Sequence, residues 1–147
     1  MVARTRRNRG SARNGVAAVE LAILLPFLAF LFVVAVDFAR VFYYSLTIEN
    51  CARNGALWAS DPNGASQSPY STVQQAALAD AGSLKPTLNS SNITSGSGTD
   101  ADNNPFVSVT ITYPFQTVTT YPGIPNQLTI TRTVRMPVLP TTPSNFP

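Results

Sequence analysis

From Gly15 to Val36 the chain reads GVAAVELAILLPFLAFLFVVAV, and Glu20 is its one ionisable side chain. About 20 apolar residues at roughly 1.5 Å of rise each match a hydrocarbon core ~30 Å thick, so Val16 to Val36 predicts a membrane-spanning helix and not a soluble-core helix. A carboxylate in such a helix costs roughly 2.5 to 3.5 kcal/mol at mid-span and less nearer the interface, so Glu20 either stays hydrated by the head groups or marks a partner. Pro26 lies inside the span, where the missing backbone donor and a bend are tolerated if neighbouring groups satisfy the freed carbonyl.

The formal charge of +3 misrepresents the working protein, because Arg4, Arg6, Arg7, Arg9 and Arg13 all precede Gly15. Without residues 1–15, five Lys plus Arg remain against seven Asp plus Glu, a net charge of −2. Residues 1–15 have no apolar periodicity and read as a basic targeting leader, unstructured until captured. Positive charge beside a span stays on the cytoplasmic side, which puts the N-terminus inside and the rest of the chain across the membrane. No basic face or aromatic stacking pattern follows, so a nucleic-acid partner is not expected.

After Val36 no Gly or Pro interrupts the pattern until Gly55, and one face becomes apolar: Phe38, Val41 or Phe42, Ser45, Ile48, Ala52 and Ala56. The expectation is one helix over 16–60, in lipid over 16–36 and amphipathic over 37–60. Asp37 with Arg40 and Glu49 with Arg53 fall at i,i+3 and i,i+4, the spacing of helix ion pairs on a solvated face. Phe42, Tyr43 and Tyr44 stand where such a helix leaves the bilayer and read as interfacial aromatics in contact with membrane lipid.

The remaining 61–147 predict a small extracytoplasmic α+β domain. Asp61-Pro62-Asn63-Gly64 is strong turn chemistry that ends the long helix. Ser68-Pro69 offers an N-cap and a first-turn proline for a second helix over about 69–81, stopped by Gly82. Residues 89–104 have almost nothing to bury and predict a mobile loop. Asp100 to Asn104 resembles a calcium loop superficially, but lacks the required glycine and distal glutamate. Val107, Val109, Ile111, Tyr113 and Phe115 alternate with smaller or polar residues as a strand, and Leu128, Ile130, Val134 and Met136 do the same. Arg132 falls on the apolar side of that second strand, so it needs a sheet edge or a partner. A short strand over 118–121 and an irregular tail over 137–147 complete the expectation. An antiparallel sheet with one apolar face needs a cover, which the amphipathic half of the long helix supplies.

Zero histidines and the single Cys51 leave no zinc or haem ligand set, and no nucleophile has a base beside it. Neither catalysis nor a metal or other cofactor is expected. Cys51 permits only an intermolecular disulfide; a small apolar residue on a helix face is its simpler reading.

Gly15-Val16-Ala17-Ala18-Val19-Glu20, Leu25-Pro26, Asp37-Phe38-Ala39-Arg40 and Asn50-Cys51-Ala52-Arg53-Asn54-Gly55-Ala56 together cover roughly the first 60 residues. The first of these resembles the processing site of type IV prepilins, and the whole run resembles the TadE-like minor pseudopilins of the tight-adherence (Flp) pilus system. Cys51 is a departure, standing where the family has a plain alanine-rich turn. The resemblance implies a pilin-like fold, cleavage by a prepilin peptidase between Gly15 and Val16, and pairing of Glu20 with the new amine of Val16 in a neighbouring subunit. It further implies residence in the bacterial inner membrane, other pilins or pseudopilins and the assembly platform as partners, and a part in surface attachment or secretion, with an extracellular pilus as a destination. Two other readings use the same residues: an unprocessed single-pass anchor displaying a small binding domain, and a soluble domain released by ordinary signal cleavage near Ala35.

Overall fold

The computed structural model of the protein describes residues 10–118 and 126–140, with side chains from Gly15 onward. The chain divides into two compact units, Met1–Phe38 and Ala39–Pro147.

Helix α1 is continuous over Gly10–Ser60 and passes through Pro26. It starts earlier than its apolar run: the leader, expected to be unstructured as far as Gly15, is already helical from Gly10. Within the first unit, every side chain from Val16 to Phe32 is exposed, Ile23 by 71 %. Such a surface is stable in hydrocarbon and not in water.

In the second unit, α1 ends where the sequence dictates. Pro62 disfavours helical geometry at Asp61, whose backbone is extended at φ −119° and ψ 90°. The Asp61 carboxylate then caps a new short helix, α2 (Pro62–Gln67), accepting from the backbone N–H groups of Asn63 and Gly64. Helix α3 (Val73–Leu78) is shorter than the helix expected over 69–81 and starts later. The Ser68 hydroxyl is used in a turn, accepting from the Tyr70 N–H at 3.2 Å. The true cap is Thr72, whose hydroxyl takes the Gln75 N–H at 3.2 Å while Gln75 Oε1 reaches back to the Ser71 N–H at 2.9 Å. This is the reciprocal logic of a capping box.

Strands β1 (Ile93–Thr99), β2 (Pro105–Gln116) and β3 (Gln127–Pro137) form an antiparallel sheet in that order. Residues 93–99 therefore are not a mobile loop. They pair along β2 from Ile93 opposite Ile111 to Thr99 opposite Pro105. Only Ile93 of this edge strand is buried, so backbone pairing and the Phe106 ring lying over Gly98 replace the missing apolar face. The 100–104 turn closes the hairpin: Asp100 Oδ1 accepts from the N–H groups of Asp102 and Asn104, at 3.0 and 2.8 Å, and Asn103 takes a left-handed φ of 64°. The expected strand over 118–121 lies outside the described residues except for Val118, which is in a bend. Past β3, Val138 and Leu139 are held by backbone bonds to Pro105 and Ser60; residues 141–147 of the expected irregular tail lie outside the described residues.

The core joins one face of α1 to the sheet. Ile48, Cys51, Ala52 and Ala56 form a single buried cluster with Val109, Ile111, Tyr113, Phe115 and Ile130. Of the expected face, Ser45, Ile48, Ala52 and Ala56 are buried and Val41, the alternative to Phe42, packs against the core, but Phe38 is 65 % exposed and Tyr44 takes an inward position. Ridge spacing favours Tyr44, Ile48 and Cys51 at three- and four-residue steps, and Tyr44 meets Tyr113 and Phe115 edge-on at 5.8 and 5.7 Å between centroids. A Cβ on Gly55 would come within 3.1 Å of the Ala77 Cβ, so the absent side chain sets how closely α3 approaches α1. Arg132 is exposed on β3, at the sheet edge.

Burial pushes the Cys51 thiol up from its ordinary 9.0 to about 11, with the Asp80 charge adding to the effect. It likewise raises the Tyr113 phenol from 10.0 to about 12, with Tyr44 contributing; that hydroxyl donates to the Pro86 carbonyl at 2.8 Å.

Two measurements on the full chain in detergent check this packing. Ile48→Ala is expected to lose about 2–5 kcal/mol in denaturant unfolding, and Leu46→Ala on the exposed face to stay within about 0.5 kcal/mol. Both raised groups hold their protons more tightly when folded, so their contribution is complete at low pH and is lost as pH rises. Stability should be level up to pH 9.0 and fall as pH climbs towards about 12, the Cys51 share of the fall disappearing in Cys51→Ala.

Candidate functional site

The residues singled out for processing and assembly, Gly15, Val16 and Glu20, lie together in the first turns of the apolar stretch of α1. All three are exposed, and nothing lies within 4 Å of where a Gly15 Cβ would stand. Gly15 and Val16 are therefore sterically open, and the Glu20 carboxylate projects from a surface otherwise built of Val, Ala, Leu, Ile and Phe. In a low-dielectric medium a carboxylate so placed is strongly attracted to a positive group and offers little else chemically.

The four residues expected as helix ion pairs sit in different surroundings. Glu49 and Arg53 do approach, at 3.6 Å with both side chains about half exposed, a geometry worth only about 0.3–0.5 kcal/mol. Asp37 is buried, 5 % exposed, so it does not decorate a solvated face. Arg40 spreads its guanidinium over the Tyr44 and Phe115 rings, 5.7 and 5.1 Å from their centroids, and donates to the Gln116 carbonyl at 3.4 Å. That places a cation on the end of the aromatic core.

The expected interfacial aromatics divide likewise. Phe42 and Tyr43 are exposed, and Tyr44 is 8 % exposed within the core, so it does not serve as a lipid anchor. On a helix, adjacent residues point about 100° apart, and along this stretch, where one face packs on the sheet, the third aromatic turns into the core.

No group of three or more potential metal ligands occurs among the described residues. The acidic turn uses its charge internally: the Asp100 carboxyl is held below its ordinary range first by the Asn104 N–H. The buried Cys51, its thiol raised to about 11, is protonated at neutral pH and a poor nucleophile. Sequence reasoning missed a cavity in the second unit, bordered by the end of α1, α2 and α3 and walled by Trp58 and Tyr70.

No curated protein and no solved structure matches the chain. A family model does, that of the TadE-like proteins, over residues 15–57. The matched segment begins at Gly15, contains Glu20, and ends within α1, just short of its C-terminus at Ser60. It suggests a Tad/Flp pilus-related role, and among the described residues one helix is long and apolar enough to cross a membrane. Over that segment, the chain is similar to the TadE-like proteins.

Proposed function

We propose that this protein is a minor pilin or pseudopilin, made as a membrane-held precursor, cut between Gly15 and Val16 by a prepilin peptidase, and taken into a Tad/Flp pilus or related secretion apparatus. The observation that carries the reading is Glu20: the one acid on an otherwise apolar exposed helix surface, at the fifth position after the glycine at which the family match begins. Cleavage leaves a positive amine on Val16. In a bundle of such helices, Glu20 of a neighbouring subunit neutralises that amine, which offsets the burial of both charges and fixes the axial register between subunits. The arginine-rich leader holds the N-terminus on the cytoplasmic side of the inner membrane, with 61–147 outside. Phe42 and Tyr43 sit at the outer interface. The protein works by assembly with other pilins and the assembly platform, in surface attachment or secretion, and carries out no catalysis of its own.

One observation favours the unprocessed anchor instead. Residues Gly10–Gly15 are helical, whereas protease clefts take extended chain, so cutting at Gly15 requires the first turns of α1 to unwind. Helix ends fray readily, which keeps this cost small.

Intact mass of the protein extracted from membranes decides between them. A chain beginning at Val16 is expected; an intact leader supports the anchor. Glu20→Gln is expected to insert and be processed normally but to yield at least about tenfold fewer assembled pili, equivalent to about 1.4 kcal/mol. Normal assembly of that variant rules out the pairing.

A further inference from the structure

Within the second unit, the sheet is laid along α1 with a definite direction. Phe115, near the end of β2, meets Tyr44 at 5.7 Å between centroids, and the Gln116 carbonyl accepts from the Arg40 guanidinium at 3.4 Å. Towards the other end, the Val109 side chain lies 3.4 Å from where a Gly55 Cβ would stand, and the Leu139 N–H, past β3, donates to the Ser60 carbonyl at 2.7 Å. The end of the sheet where β2 leaves and β3 enters therefore stands beside the first residues of α1 in this unit, and the β1–β2 turn lies at the far end.

The near end is apolar at its surface. Val118 and Leu128 are 63 % and 39 % exposed, and Phe42 and Tyr43 of α1 are exposed at the same end. Leu128 is paired with Phe115, so it carries the aromatic end of the core outward. Four such residues at one end of a small domain mark an interaction surface. Charge divides in the same sense. Asp61 follows the last residue of α1, Asp80 accepts from Asn54, and Asp100 closes the β1–β2 turn that also holds Asp102, so these four carboxylates belong to the far half. Residues 38–48 and 103–147 contain no Asp or Glu, and Arg40 puts a positive charge at the near end.

The chain itself limits what that end can face. Arg40 is four residues past Val36, and a fully extended chain covers at most ~3.6 Å per residue, so Arg40 is tethered within about 15 Å of the end of the span. The polar head groups add roughly 5–7 Å on each side of the hydrocarbon. Apolar and aromatic side chains accompanied by a cation and no anion suit that boundary, where tyrosine rings settle and lipid phosphates carry negative charge.

We propose that this end of the sheet is a second membrane contact: Val118 and Leu128, with Phe42 and Tyr43, bed into the head-group boundary of the bilayer that α1 crosses. The contact rests on the reading of α1 as a membrane anchor, and not on leader cleavage or on the Glu20 pairing.

The full chain, in a Cys51→Ala background and at one chain per phosphatidylcholine–phosphatidylglycerol nanodisc, is given a nitrobenzoxadiazole label at Val118→Cys, Leu128→Cys, Ser97→Cys or Leu28→Cys in turn. Lipids with a nitroxide near the head group or deep in the acyl chain quench labels at those depths. Head-group quenching at 118 and at 128 is expected to be at least about threefold that at 97, which lies on β1 opposite Val107 towards the far end. Emission of Trp58, the one tryptophan, should not change. Val118→Glu should lower quenching at 128 by at least about twofold. The label at 28 reports on the span itself. Deep quenching at 28 with 118 and 128 quenched no more than 97 overturns the proposal and leaves the anchor reading standing, whereas no quenching at 28 overturns both. A blue-shifted label at 118 without lipid quenching marks contact with protein and overturns it, as does unchanged quenching at 128 in Val118→Glu.

Discussion

One uninterrupted helix has to satisfy two different surroundings along its length, and the rest of the chain follows from that. Through Phe32 every side chain of its apolar run is exposed; by Ile48 only one face is buried. An apolar surface on all sides cannot be left in water, and one-sided apolarity cannot be left without a cover. Lipid answers the first requirement and the β-sheet answers the second. The residues that pack on the sheet are small where backbones approach, at Cys51, Ala52, Gly55 and Ala56, and large where an aromatic cluster closes the end, at Tyr44.

Within that frame the sheet is uneven. Strand β2 sits in the centre and supplies Val109, Ile111, Tyr113 and Phe115, all fully buried, while the edge strands contribute Ile93 on one side and Ile130 on the other. A chain of this size builds a modest core, and it concentrates that core along one strand and one helix face. Tyr113 illustrates the requirement: its ring is buried, so its hydroxyl must find a partner, and the Pro86 carbonyl provides one.

Elements whose stability comes from apolar patterning were legible in the sequence. The end of α1, the long central strand and the last strand were all anticipated, and of the two alternatives for Arg132, a sheet edge or a partner, the structure shows the edge. Strand β1 was not, because ITSGSGT has no alternating face; its pairing to β2 is a backbone matter, and Gly98 is there to accept the Phe106 ring. The buried face of α1 was read in part: Ser45, Ile48, Ala52 and Ala56 are on it, but Tyr44 was not expected there and Phe38 was. Phe38 is more apolar than Tyr44, and only the sheet decides which of them turns inward. The T-x-x-Q signal at Thr72 was present but passed over in favour of the more conspicuous Ser68-Pro69. For the candidate sites, Gly15, Val16 and Glu20 were singled out through the resemblance to prepilin processing sites, and the structure shows all three exposed at the start of the apolar run. The cavity was not legible, since Trp58, Tyr70 and Asp80 meet only through the turns that connect three helices.

The central claim is that α1 changes from lipid-facing on all sides to packed on one side. Spin-label accessibility along 16–57, measured on single-cysteine variants in a Cys51→Ala background reconstituted in lipid nanodiscs, tests it most directly. The account predicts contact with dissolved oxygen and none with a polar relaxation agent throughout 16–36. From residue 41 onward it predicts a helical period, with protection at 44, 48, 52 and 56 and access at 42, 46, 53 and 57. Polar access across 16–36, or a profile without periodicity beyond 41, would contradict it.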